Sequence, residues 1–113
     1  MHDIEIRPSR PDDIASIEKL YPAAFPDEDL LPLVRQLLTE EPGILSLVAE
    51  ASDAAAGHIL FTLCAITGSD VRAALLAPLA VAPEWQRKGI GSALIREGLI
   101  RLKRDGVVHV YVL

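Results

Sequence analysis

The sequence is short of sulfur, aromatics and positive charge. Cys64 is its only cysteine, so an internal disulfide and a thiolate metal cluster are both excluded. Its apolar setting, FTLCAI, predicts a buried thiol. Aromatics make up 4% of residues and the net charge is −5, which leaves neither a stacking platform nor the excess of Lys and Arg that a nucleic-acid backbone demands. No stretch approaches the ~20 apolar residues of a membrane span, and the start, MHDIEIRPSR, has no long apolar core, so the expectation is a soluble, cytoplasmic protein without membrane contact. The histidines His2, His58 and His109 are dispersed, with no second ligand at metal spacing, so no metal is expected. His58 and His109 each sit in an apolar run and read as packed or edge residues.

What is present is aliphatic. Hydrophobic residues reach 50%, so the core must come from Leu, Ile, Val and Ala, and the 113 residues are expected to form a single domain burying roughly 65% of the unfolded surface. Alternation at residues 4–7 predicts a first strand, ended by Pro8 and Pro11. A helix capped by Asp12 or Asp13 should carry Ile14, Ile17, Leu20 and Tyr21 until Pro22 breaks it; a second should carry Leu30, Leu31, Val34, Leu37 and Leu38, stopped by Pro42 and Gly43. Strands at 45–50 and 58–67 then form a hairpin whose turn includes the Ala run 54–56. A turn at 68–70, a long strand at 71–81, a helix at 90–104 with Leu94, Ile95, Leu99 and Leu102 on one stripe, Gly106 as its cap and a strand at 107–113 complete the order β-α-α-β-β-β-α-β. The fold class is α/β with a mixed sheet.

The chain is organised around LAVAPEWQRKGIGSALI, residues 79–95, where a strand passes through Pro83 into a basic, glycine-containing turn and on into a helix. Gly89 and Gly91 lack the Cβ atoms that would hold a ligand off the main chain, and a helix opening at Ile90 leaves its first N–H groups unpaired. Such donors, with the helix dipole, suit phosphate or pyrophosphate, and Arg87 and Lys88 reverse the acidic sign of the chain at that mouth. A Walker loop would need Ser or Thr after Gly-Lys. A dinucleotide fingerprint would need a small residue where Leu94 stands.

The remaining pattern, Gln-x-x-Gly-x-Gly from Gln86 to Gly91 after a strand ending LAV, resembles motif A of the GNAT N-acetyltransferases; SLVAE, GHILF and LAPLAV are similar to small members of that family. The resemblance implies an acetyl-CoA-dependent transfer to an amine acceptor, with acetyl-CoA as cosubstrate. It implies that Leu79, Ala80 and Val81 line the pantetheine arm, that Gln86, Arg87, Lys88, Gly89, Ile90, Gly91 and Ser92 wrap the pyrophosphate, and that the Val81 N–H receives the oxyanion. Glu28, Asp29 and Glu50 are the candidate bases. Family members continue past their fifth strand with a helix and two more strands bearing the general acid, so a chain running to Leu113 is expected to turn over slowly. The alternative is a coenzyme-binding module or fragment acting through assembly with another chain. The apolar strand from Val107 to Leu113 is then expected to pair with a second copy or another partner strand.

Overall fold

The structure, a computed structural model, describes residues 4–39, 43–65, 68 and 70–112. Five strands form one sheet in the order β1-β2-β3-β4-β5: β1 (Glu5–Pro8), β2 (Ile44–Ala51), β3 (Ala54–Ala65), β4 (Arg72–Val81) and β5 (Val107–Val112). All neighbours are antiparallel except β4 and β5, which run parallel. Parallel neighbours need a crossover. It is supplied by α3 (Ile90–Arg104), whose span is the one expected from the sequence.

Two apolar layers sandwich the sheet. On one face α1 (Ile14–Ala24) and α2 (Leu31–Leu38) bury Ile17, Leu20, Tyr21 and Val34 over Val48 and Ala80. On the other, α3 buries Ile90, Leu94 and Leu102 over Leu47, Ile59, Phe61, Ala74 and Leu76. A β-strand alternates its side chains between faces, but β4 does not keep that alternation throughout. Ile59 pairs with Leu79 and Phe61 with Leu76, so β4 carries one residue more than β3 across this interval. The bulge turns both Leu76 and Leu79 toward α3. On its other side β4 pairs with β5 from Arg72 to Leu76, opposite Val107 to Val112.

Five expectations are corrected. Pro22 does not end α1: the helix runs on to Ala24, closed by the Phe25 N–H on the Tyr21 carbonyl at 2.8 Å, because burial of Leu20 and Tyr21 outweighs the one amide that proline lacks. The cap expected from Asp12 or Asp13 is not formed; instead the Asp13 carboxylate reaches back to accept the Arg10 N–H at 2.6 Å. The Ala run 54–56 lies inside β3, and the turn is made by Ser52 and Asp53 alone, both at positive φ (53° and 64°), as a two-residue hairpin with right-handed twist requires. Cys64 is exposed, since β3 outruns its helical cover there. On α3 the buried stripe is Ile90, Leu94, Gly98 and Leu102, spaced by four, while Leu99 faces outward. Pro42 and Thr67 lie outside the described residues.

Candidate functional site at the turn into α3

Beyond Val81 the chain makes a 3₁₀ turn (Pro83–Trp85), extends at Gln86 and reverses through two left-handed residues, Arg87 (φ 63°) and Gly89 (φ 83°), before α3 begins. The first α-helical bond is Ala93 N–H to the Gly89 carbonyl at 3.0 Å, so the N–H groups of Ile90, Gly91 and Ser92 precede it and have no partner one turn back. Gln86 braces the loop, its Nε2 donating to the Val81 carbonyl at 2.9 Å. Arg87 holds a conformation that costs a non-glycine residue about 1 kcal/mol, strain of a kind that gathers at working sites.

These residues enclose a depression of about 250 Å³ lined by Val81, Trp85, Gln86, Arg87, Gly89, Ile90, Gly91 and Ser92. Its two glycines differ. A Cβ on Gly89 would meet nothing within 4 Å and project into the open mouth; one on Gly91 would point into the gap between α3 and β4, 3.8 Å from Val81 Cγ2 and 3.9 Å from Leu79 Cδ2. Leu79 thus borders the same gap. Ala80 is turned to the α1 face and buried there, leaving its main chain as its contribution to this side. The Lys88 ammonium stands 6.0 Å from the centre of the Trp85 ring. The N–H of Ala82 is spent on the Ala56 carbonyl at 2.8 Å, so by alternation Val81 presents its own toward the β5 side, beyond the last β4–β5 pair.

None of the three candidate bases borders this depression. Glu28 and Asp29 are exposed on the connection between α1 and α2, beside a separate hollow of about 350 Å³ with Phe25 and Leu31. Glu50 accepts Arg7 Nε at 2.9 Å and lies in a third hollow with Asp13 and Asp53. Arg7 also donates to both oxygens of Asp13 at 2.8 and 2.9 Å, and this bond holds the Asp13 carboxyl below its ordinary range.

On the other face of the sheet His58 is a packed histidine, as its apolar run implied, and its polar partners are what the sequence did not show. It is fully buried on β3, bonded through Nδ1 to the Tyr21 hydroxyl at 2.7 Å and through Nε2 to Ser46 Oγ at 2.8 Å; Ser9 Oγ donates to Ser46 in turn at 2.7 Å. Donor and acceptor roles balance if the Tyr21 O–H donates to Nδ1 and Nε2–H donates to Ser46. Burial lowers the His58 pKa to about 4 and raises that of the Tyr21 phenol. His109 is exposed on β5, as an edge residue would be. Among the described residues no group of three or more His, Cys, Asp or Glu side chains gathers as a metal ion would need, and no helix is long and apolar enough to cross a membrane.

The sequence profile described as "Acetyltransferase (GNAT) family" matches residues 12–113. The chain is 39% identical over 105 residues to the Uncharacterized N-acetyltransferase YjhQ of Escherichia coli (strain K12), covering 89% of this chain and 58% of that protein. It is 31% identical over 111 residues to the Uncharacterized N-acetyltransferase YhbS of the same strain, covering 96% and 65%. It therefore spans about three-fifths of the length of these curated relatives. Among solved structures, a GNAT family acetyltransferase from Brucella melitensis in complex with acetyl-CoA superposes with a TM-score of 0.87 at 36% identity, covering all of this chain and 77% of that one.

Proposed function

Because the chain belongs to the GNAT acetyltransferase family, we propose that it takes part in moving an acetyl group from acetyl-CoA to an amine of a small molecule or protein. One observation carries this reading: the N–H groups that open α3 and the end of β4 border a common gap, walled by Val81, Gly89, Ile90, Gly91 and Ser92. The Brucella relative's complex with acetyl-CoA supports the identity of the ligand.

Acetyl-CoA would supply an activated thioester. In this reading the loop from Gln86 to Ser92 receives the pyrophosphate on main-chain N–H groups, with Arg87 and Lys88 adding charge at the mouth. The main chain of Leu79, Ala80 and Val81 holds the pantetheine arm. The Val81 N–H stabilises the negative charge that develops on the thioester oxygen. An acceptor ammonium, with an ordinary pKa near 10.4, must lose its proton before it attacks. Glu28 and Asp29, which face solvent, are freer to take it through water than Glu50, whose carboxylate is engaged by Arg7. Along β5 the exposed Val108, Tyr111 and Val112 suit pairing with a further strand, a reading checked by light scattering of the wild type against Val112→Lys.

The test is calorimetric titration with coenzyme A and acetyl-CoA, beside a thiol-release assay with small polyamines. The wild type should bind both. Gly91→Val should cost at least about tenfold in affinity with little loss of stability, because the added Cβ makes only ordinary contacts within the protein and its branches fill the gap. Unchanged affinity in Gly91→Val would remove the site from this position. Binding without thiol release would favour the coenzyme-binding module over the transferase.

A further inference from the structure

α3 lies on the sheet at two glycines, one contributed by the strand beneath and one by the helix itself. At the far end Gly98 lies over Phe61: a Cβ there would come within 2.3 Å of the Phe61 ring. At the near end the small residue is on β3. A Cβ on Gly57 would stand 3.0 Å from Ile90 Cγ2, 3.0 Å from Leu94 Cδ1 and 3.3 Å from the Ala80 carbonyl oxygen. Gly57 does not occupy the left-handed region, so its backbone does not require glycine. What requires glycine is space.

The atoms pressing on that space belong to both halves of the proposed coenzyme site. Gly57 pairs across the sheet with Val81 and abuts the carbonyl of Ala80, while above it rests the side chain of Ile90, the first residue of α3, held between Gly89 and Gly91. Ile90 is 3% exposed and Leu94 is 0% exposed, so neither can swing aside into solvent. The carbonyl of Ala80 is held by β4. A methyl at residue 57 must therefore lift the first turn of α3 by a few tenths of an ångström, while Phe61 and Gly98 keep the second half seated. The movement is a tilt concentrated at the N–H groups of Ile90, Gly91 and Ser92.

We infer that Gly57 is a positioning residue: it sets the height of the α3 N-terminus over the end of β4, and thereby the separation between the phosphate-binding amides and the strand that holds the pantetheine arm. This rests on the coenzyme reading above. A ligand bridging both elements feels a change in their separation even when neither loses a group, and misplacements of this order cost about tenfold or more.

The experiment compares Gly57→Ala with wild type by calorimetry with coenzyme A and by backbone amide NMR of the free protein. Gly106→Ala is the control, since Gly106 (φ 84°) lies beyond the opposite end of α3 and its replacement strains the backbone without touching the site. Gly57→Ala should weaken coenzyme A binding about tenfold or more and shift the amides of Ile90 to Leu94 but not those near Leu102; Gly106→Ala should bind as wild type at a lower Tm. In an Ile90→Ala background, where one of the two methyls pressing on residue 57 is gone and the Leu94 Cδ1 contact remains, the same substitution should cost less than it does in the wild-type background. Gly57→Ala binding within about twofold of wild type overturns the proposal. Should Gly57→Ala fail to fold, recovery of the fold with Ile90→Ala or with Leu94→Ala supports the proposal and recovery with neither overturns it. If the wild type itself does not bind coenzyme A, the coenzyme reading fails, and the amide shifts decide alone: unmoved Ile90–Leu94 resonances overturn the positioning role.

Discussion

The two faces of the sheet are built on different terms. Under α3 the contacts are apolar and close, with glycines at two contact points and, among the described residues, no buried titratable side chain. Under α1 and α2 the core contains a histidine, a tyrosine and a serine in one hydrogen-bonded chain, and beside it Arg7 bridges Asp13 and Glu50. The first arrangement fixes main chain to main chain, as a site made of backbone amides requires. The second fixes helices by directional bonds and makes their docking sensitive to pH. A single sheet thus separates a face tuned by volume from one tuned by charge.

The largest effect should come from adding volume on the α3 face. Gly98→Val would drive at least one carbon into the fully buried Phe61 ring and should cost about 3 kcal/mol or more, read from urea denaturation. An added hydroxyl or charge on exposed Leu99, one residue away, should do almost nothing. If Gly98→Val were as stable as wild type, the contrast between the faces would collapse.

On the other face the sensitive feature is charge. His58→Leu keeps an apolar volume but strands the Tyr21 hydroxyl and leaves Ser46 with its Ser9 bond alone, so at pH 7 it should cost about 2–3 kcal/mol. The pH dependence has a definite sign. The His58 pKa in the fold, about 4, lies below the 6.5 of an unfolded histidine, so between these values the unfolded chain binds more protons. His58 therefore contributes its full stability above about pH 6.5 and loses it as pH falls toward 4. Wild type should lose about 2 kcal/mol more than His58→Leu between pH 7 and pH 5. Equal losses would mean that His58 does not titrate on unfolding.

A smaller change sharpens the same point. Arg7→Ala removes the donor shared by Asp13 and Glu50, side chains that keep 13% and 27% of their exposure, and should cost about 1–2 kcal/mol. Part of it should vanish in acid, since Asp13 contributes its stability above the ordinary carboxylate range and loses it as pH falls below. Thermal melts at pH 7 and pH 3 would measure both.

How much of this was legible follows from where the signals are local. The turn into α3 and the helix bounds could be read because proline, two glycines and a switch from strand to helical spacing fall within a dozen residues. Pro22 misled because burial of its neighbours overrides a local breaker. Leu99 was misassigned and Gly98 missed for a related reason: the buried stripe includes a residue with no side chain, which hydropathy cannot detect. The bulge in β4 depends on pairing with β3 and leaves no mark on β4 alone. Cys64 looked buried because an apolar strand does not reveal where its cover stops. The candidate bases were unresolved because carboxylates in solvated loops carry no periodicity, and Gly57 was passed over because, at the end of SDAAAG, it reads as a turn residue until the Ala run before it is placed in β3.

Trp85 gives the molecule an optical property. It is the sole tryptophan of the chain, is partly buried against the α3 core and forms part of the wall of the depression, with the Lys88 ammonium 6.0 Å from its ring. Indole emission follows the polarity and charge around the ring, so whatever enters beside Gly89 and Gly91 alters the fluorescence of a single, assignable fluorophore. The exposed Cys64, the chain's one thiol, accepts an extrinsic dye without competing cysteines. The sequence thus carries its own donor and one attachment point for an acceptor, so that occupancy of the loop can be followed by light without altering a residue.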